Sequence, residues 1–226
     1  MKNILILLIL TFSTFFTFGQ KIKDIQTKRP KVFAIKNVNV ITMNSTGTLI
    51  ENATLVISDN IIQSINSTIP KNAIIIDGKG KWLIPGLIDA HVHLYTDSYF
   101  GQKLPTQIPD LSYNTQDIMT PIIANGVTTV LDLNSTMETF GQKKAIEKGY
   151  IVGPRIALAA NINGGNGQGR IANTAEEGRT MVRIAKTEGY DFIKVYSKLN
   201  IETYNAIIDE AHKQGLKTIG HIPNAF

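Results

Sequence analysis

Asp89, His91 and His93 alternate along one apolar run, PGLIDAHVH at residues 85–93. Because the side chains of a strand alternate between its two faces, these three are predicted to point the same way. Two imidazoles on one face can bind one metal cation, and Asp89 is placed to be a further ligand or to orient a ring. The alternative is a pair of core histidines, but two imidazoles beside a carboxylate are costly to bury without a ligand. The pattern therefore favours metal binding.

Two residues further along the chain are candidates for the same chemistry. Lys194 lies in the apolar run 192–196, where a lysine is rarely buried without a purpose. It could be a Schiff-base nucleophile, a buried cation paired with an acid, a lysine carboxylated by CO2 that bridges two metals, or a strand-end residue that reaches solvent. His221 follows Gly220 near the end of the next run, and by residue type it could equally be a ligand or a structural residue. His212 falls in a helical segment and is not expected to bind metal.

A glycine-rich segment, NINGGNGQGR at residues 161–170, follows the third strand of the pattern described below. It lacks the Gly-x-Gly-x-x-Gly spacing of a dinucleotide site and does not follow the first strand. We expect a mobile loop on the substrate side, with Arg170 available to an anionic group.

Alternating strands and helices must position these residues. Five apolar runs are predicted as strands, at residues 83–94, 127–133, 155–160, 192–196 and 217–222, and the first of them is broken by Pro85-Gly86. Helical spacing and glycine stop signals predict helices between them, at residues 115–125, 138–148, 174–188 and 201–214. Near-continuous apolar strands separated by helices predict a parallel sheet with outer helices. The pattern alone leaves a doubly wound sheet and a (β/α)8 barrel both open.

The rest of the chain divides into three segments. Residues 1–19 combine Lys2 with an apolar run that is short for a bilayer span, which predicts a cleaved export signal and a periplasmic or secreted protein. An uncleaved N-terminal anchor is the alternative, and no stable membrane anchor is expected after cleavage. Residues 20–31 form a polar lead-in. Residues 32–82 are predicted to be a small all-β segment with a hairpin turn at Asp59-Asn60.

The composition excludes several classes of protein. With 43% hydrophobic and 18% charged residues, the chain is neither disordered nor a polytopic membrane protein. Its 23 lysines and arginines, against 18 acidic residues, are spread along the sequence, so a nucleic-acid partner is not expected. Cysteine is absent, which excludes disulfides, thiolate metal ligands and thiol nucleophiles.

Four segments in this order resemble the metal-dependent amidohydrolase superfamily, and its imidazolonepropionase-like and prolidase-like enzymes in particular. They are PGLIDAHVH at 85–93, GVTTV at 126–130, FIKV at 192–195 and GH at 220–221. The resemblance extends from about Val32 to the last residue. It implies an α/β fold in which residues 83–226 form a partial TIM (β/α)8 barrel with five strands, beside a small N-terminal β-sandwich segment at residues 32–82.

The resemblance also implies a ligand set and a reaction. His91 and His93 would bind the more buried metal, a carboxylated Lys194 would bridge two metals, and His221 would bind the second. The cofactor would be one or two divalent ions, with zinc expected and manganese, iron or nickel as alternatives. The implied reaction is hydrolysis of a C–N bond in a small-molecule amide, cyclic amide or dipeptide by a metal-bound hydroxide. Oligomerisation is left open.

The family pattern continues with a histidine on strand six and a proton-accepting aspartate on strand eight, which this sequence does not supply. No catalytic acid–base residue is therefore assigned. A (β/α)8 barrel takes about 250 residues, so we expect the sequence to be the N-terminal part of such an enzyme and to be inactive alone. The alternative is a non-catalytic metal-binding or structural remnant.

Overall fold

The computed structural model of the protein describes residues 31–94 and 115–225. Its first part is a mixed β-sheet in the order β3-β2-β1-β4, with β5 also pairing with β1. The strands are β1 Val32–Ile41, β2 Leu49–Ser58, β3 Ile61–Ile65, β4 Ile74–Asp77 and β5 Trp82–Leu83. Strand β1 is antiparallel to β2 and parallel to β4 and β5. The small β unit expected beside the barrel is thus a single five-stranded sheet within the described residues.

The β2–β3 hairpin turns at Asp59 and Asn60, as the sequence predicted. Both residues have positive φ, 49° and 70°, which is the combination required by a type I′ turn. Asp and Asn tolerate this left-handed conformation better than other non-glycine residues do. The apolar centre of the sheet is a small cluster made of Val38, Val40, Ala53 and Leu55.

The apolar run 83–94 is divided at Pro85-Gly86, as its sequence indicates, and its two parts lie in different sheets. Trp82–Leu83 pairs with the small sheet, and a new strand, β6, begins at Leu87 in the second sheet. Pro85 and Gly86 lie at the crossing. A Cβ on Gly86 would lie 1.9 Å from Thr128 Oγ1, so only glycine lets the chain pass this close to the neighbouring strand.

The second sheet is parallel and follows the order β11-β10-β8-β7-β6, with the short β9 beside β8. Its strands are β6 Leu87–Val92, β7 Val127–Asp132, β8 Arg155–Asn163, β9 Arg170–Ile171, β10 Phe192–Val195 and β11 Lys217–Gly220. The five main strands lie side by side in chain order. A doubly wound sheet reverses its order at a switch point, whereas a (β/α)8 barrel does not. The fold is therefore a partial barrel, as the resemblance implied.

Within the described residues, four helices lie between these strands: α1 Thr115–Ala124, α2 Met137–Glu147, α3 Ala175–Glu188 and α4 Ile201–Lys213. Their predicted bounds agree with the structure to within one residue. Helix α3 begins at the expected capping box, in which Thr174 accepts from the backbone of Glu177 and Glu177 from that of Thr174, and it ends at Gly189 with φ 90°.

The main core lies between the sheet and its helices. Its fully buried members include Leu158, Ile162 and Ile193 from the strands and Val182 and Ile207 from the helices. A smaller apolar cluster occupies the opposite face of the sheet, and its buried members are Leu131, Leu133 and Ala159. This second cluster lies on the concave side of the partial barrel, below the strand ends that carry the candidate site.

Within the described ranges, no helix has the length and apolarity needed to cross a bilayer. The predicted signal segment 1–19 and residues 20–30 of the lead-in lie outside the described residues, as do residues 95–114 and Phe226 of the barrel segment.

Candidate functional site

His91 lies near the carboxyl end of β6, and His93 follows one residue beyond that strand. Their rings meet edge to face, with 5.2 Å between centroids and 85° between planes. Both residues are solvent-exposed, so the structure disagrees with the alternative that they fill the core. The two imidazoles are therefore accessible and adjacent, as a shared metal requires.

Lys194 lies on β10, three strands away from the histidines along the sheet, and is 2% exposed. A strand-end lysine that reaches solvent is therefore excluded. Its Nζ lies 5.0 Å from the ring centroid of Tyr196. Burial lowers the pKa of Lys194, and the negative charge of Asp132 opposes this shift in part. A buried ammonium in these surroundings loses its proton more readily than one in water.

His221 comes directly after β11. Its ring contacts the Tyr196 ring, which also lies near Lys194 Nζ. The Tyr196 and His221 rings are 4.4 Å apart, and the backbone N–H of His221 donates to the carbonyl of Val195 at 3.0 Å. Gly220 makes this approach feasible, because its φ is 144° and a Cβ would lie 2.0 Å from Val195 O.

Asp132 was not identified from the sequence, yet it is 0% exposed and ends β7, the strand beside the histidines. Its Oδ1 lies 3.9 Å from His93 Nδ1. Burial lowers the pKa of His93, the positive charge of Lys194 lowers it further, and the Asp132 carboxylate opposes both. The sequence did contain a signal that could have identified Asp132. It is an acidic residue at the end of an apolar strand, at the same edge of the sheet as the two histidines.

Asp89 and Arg170 make other contacts. The exposed Asp89 carboxylate accepts from the backbone N–H of His91 at 3.0 Å, so it fixes the local chain, and its role as ligand or orienting group stays a prediction. The Arg170 guanidinium donates to Glu188 and lies 5.2 Å from the ring centroid of Tyr190. These contacts give Arg170 a structural function, and its role toward an anionic substrate also stays a prediction.

Across residues 31–94 and 115–225, no three His, Asp or Glu side chains converge closely enough to hold a metal ion. The donor set nevertheless fits a divalent metal in chemical terms. Two adjacent imidazoles are borderline-soft ligands, and the buried amine of Lys194 becomes an oxygen ligand once it is carboxylated. Asn161, in register with Lys194 on β8, adds a buried Oδ1 that has no hydrogen-bond partner in the described part of the chain.

Comparison with known proteins places this arrangement in a family. Residues 82–225 match the profile of the Amidohydrolase family. A candidate prolidase from Bifidobacterium longum superposes with a TM-score of 0.69 at 26% identity, covering 87% of this chain and 51% of that protein. A 5-methylthioadenosine/S-adenosylhomocysteine deaminase from Halothermothrix orenii is 33% identical over 172 residues, which is 64% of this chain and 36% of the deaminase.

A Xaa-Pro dipeptidase with methionine bound in its active site shares the fold, with a TM-score of 0.63 at 22% identity. The chain spans about half the length of the structural relatives that it matches, and about a third of the deaminase. The family profile covers the whole parallel sheet, from its first strand to its last, including the segments that carry His91, Lys194 and His221. The chain belongs to the amidohydrolase family.

Proposed function

We propose that the protein is a metal-dependent hydrolase of C–N bonds in small molecules. The observation that carries this proposal is the position of His91, His93, Lys194 and His221 at the carboxyl ends of three strands of one partial barrel. In barrel enzymes the chemistry is located at this end. A divalent metal held there would polarise the carbonyl under attack and supply a nucleophile at neutral pH.

The chain's own groups are suited to hold such a metal. The lowered pKa of His93 keeps its ring neutral near neutral pH, and a neutral imidazole is the form that binds metal. The lowered pKa of Lys194 increases the fraction of neutral amine. That amine can add CO2 to form an N-carboxylate with release of one proton, which replaces a buried cation by an anionic oxygen ligand.

Two substrate classes remain under this proposal, and each has its own support. The prolidase-like structural relatives favour a dipeptide or a related amide. The higher sequence identity to the deaminase, 33%, favours a purine-type amine as the second candidate. Both reactions break a C–N bond, so one ligand set could serve either. Binding without turnover would support a non-catalytic metal-binding remnant.

The metal content of the complete protein and of three histidine variants tests the proposal. We expect His91→Ala and His93→Ala each to lose at least one metal equivalent by elemental analysis. His212→Ala, on the exposed side of α4, is the matched control and should keep its metal. Turnover should then be measured on dipeptides, cyclic amides, esters and 5-methylthioadenosine, with zinc, manganese, iron and nickel compared. Unchanged metal content in both strand variants would overturn the proposal.

We also propose that residues 1–19 direct export and are removed, so that the mature protein begins near Gln20 in the periplasm or outside the cell. The support is the positively charged start and the short apolar run before Gly19. The intact mass of protein recovered from outside the cytoplasm would show a new N-terminus near Gln20. A mass that retains Met1 would contradict export with cleavage.

A further inference from the structure

We propose that Asp132 is a positioning residue of the metal centre, which holds the His93 ring through its Nδ1 so that Nε2 is left to bind metal. This inference rests on the proposed function. Asp132 is the last residue of β7 and is paired in register with Val92 on β6, next to His93 in sequence. The backbone N–H of Leu133 donates to the carbonyl of Val92 at 3.1 Å, so the two strand ends are fixed together.

The carboxylate is held in place by groups that are not metal ligands. Its Oδ2 accepts from Thr139 Oγ1 at 2.9 Å, and its Oδ1 accepts from the backbone N–H of Asn134 at 3.2 Å. The Ser135 hydroxyl donates to the Asp132 carbonyl at 2.9 Å. These contacts anchor the carboxylate to the first turn of α2 before any metal arrives, as a preorganised site requires.

This anchoring uses both carboxylate oxygens, one for Thr139 and one for Asn134. A neutral Asn has one acceptor oxygen and would turn an NH2 group toward one of these donors. A fully buried carboxylate is also costly unless a cation or a strong donor faces it. In the part of the chain that the structure describes, Asp132 Oδ1 faces His93 Nδ1, and its charge also acts on the buried Lys194. The geometric contact of the carboxylate is the one with His93.

The 3.9 Å between His93 Nδ1 and Asp132 Oδ1 is about 1 Å longer than a direct hydrogen bond. A proton on Nδ1 that faces a carboxylate fixes the ring tautomer, leaves the lone pair on Nε2 and makes that nitrogen a better ligand. With its Nε2 bound to a metal, the His93 ring would be a stronger Nδ1–H donor toward Asp132. Asp132 would thus act through His93, without contact with the substrate.

Asp132→Asn tests the inference, since it keeps the shape of the side chain but removes its charge and one of its two acceptor oxygens. We expect zinc affinity, measured in the complete protein by competition with a chromophoric chelator, to fall about 10–100-fold. Thr139→Val, which removes one anchor of the carboxylate, should weaken zinc binding less but in the same direction. Glu210→Gln is the control: it neutralises a buried carboxylate on α4 that is paired with Arg183 on α3 and should leave zinc affinity unchanged.

A second readout needs no metal. In metal-free protein labelled with 15N-histidine, we expect the ring nitrogens of His93 to report the Nδ1–H tautomer in the wild type and a shift toward the Nε2–H tautomer in Asp132→Asn. Unchanged tautomer and unchanged affinity, with only a lower melting temperature, would show that Asp132 is purely structural and overturn the inference. If the wild type bound no metal, the proposed function would fail together with the role of Asp132 at a metal centre. The tautomer measurement would then show separately whether Asp132 orients the His93 ring.

Discussion

At the scale of single residues, Lys194 is the side chain whose burial most needs a ligand. It is 2% exposed, and burial lowers its pKa. Methionine has a similar length and fills the same space without desolvating a charge. The Asp132 charge offsets part of that cost, so we expect Lys194→Met to stabilise the metal-free, CO2-depleted protein by about 1 kcal/mol at neutral pH. Thermal denaturation measures this change, with Lys144→Met, at an exposed position of α2, as the control that should show none.

This gain in stability has a defined pH dependence. A lysine whose pKa is lowered by folding binds its proton more tightly in the unfolded chain, so stability rises with pH between the folded-state pKa and the ordinary value of 10.5. The penalty on the wild type is complete below the folded-state pKa and disappears above 10.5. The difference in the free energy of unfolding between Lys194→Met and the wild type should therefore disappear as the pH is raised toward that value. A difference independent of pH would contradict this origin.

The contacts of Arg170 lead to a second prediction. Its guanidinium pairs with Glu188, and both side chains are partly buried, 25% and 35% exposed. It also lies against the Tyr190 ring. We expect Arg170→Ala to lower the free energy of unfolding by about 1 kcal/mol and to leave KM unchanged in the complete enzyme. A large rise in KM with unchanged stability would instead establish the substrate role that its loop suggested.

Sequence reasoning located the histidines and Lys194 because each is a polar residue that interrupts an apolar strand. Asp132 was not identified from the sequence because its partner lies on another strand. No spacing along the chain connects Asp132 to His93, and only the pairing of the two strands brings them together. The Arg170–Glu188 pair is hidden for the same reason, since β9 and the end of α3 are 18 residues apart. Contacts between side chains on different elements can be predicted only once the fold is known.

At the scale of elements, Gly220 controls how β11 presents His221. With φ 144° and a Cβ position only 2.0 Å from Val195 O, Gly220→Ala collides with backbone that cannot move aside. We expect a loss of about 3 kcal/mol or more in the free energy of unfolding, together with weaker binding of the metal that we propose for His221. Urea denaturation and metal titration measure the two effects.

Gly141→Ala is the matched control for that substitution. Gly141 lies within α2, and nothing is within 4 Å of its Cβ position. Alanine there should stabilise the protein by about 0.5–1 kcal/mol because it is the better helix former. If both substitutions changed the free energy of unfolding equally, the close contact and the positive φ of Gly220 would not be the reason that a glycine is required there.

The elements themselves were largely predictable. Strand–helix alternation, the Thr174–Glu177 capping box and the glycine stops are local signals, and local signals fix helix ends. The two-residue strand Trp82–Leu83 was missed because such a short segment carries no periodicity, and only its pairing with Asn39 and Val40 defines it. The choice of a barrel over a doubly wound sheet likewise needed the observed strand order.

At the scale of the whole molecule, several solvent-exposed apolar side chains lie on strands at the edges of the two sheets. On β3 and β4, the edge strands of the small sheet, Ile61, Ile62 and Ile75 are 61%, 58% and 53% exposed. On β6, at one end of the parallel sheet as described, Ile88 is 70% exposed. Open strand edges with exposed apolar residues pair readily with other chains.

Residues 20–226 prepared alone should therefore associate at micromolar concentration, as measured by light scattering on a sizing column. Ile62→Thr combined with Ile75→Thr should shift the population toward monomer, because threonine keeps the strand propensity and reduces the apolar surface. Ile201→Thr, an exposed isoleucine at the start of α4, is the control and should leave association unchanged. A monodisperse monomer of residues 20–226 would show that these edges are protected in solution, and an equal response to all the isoleucine substitutions would show that association does not depend on the sheet edges.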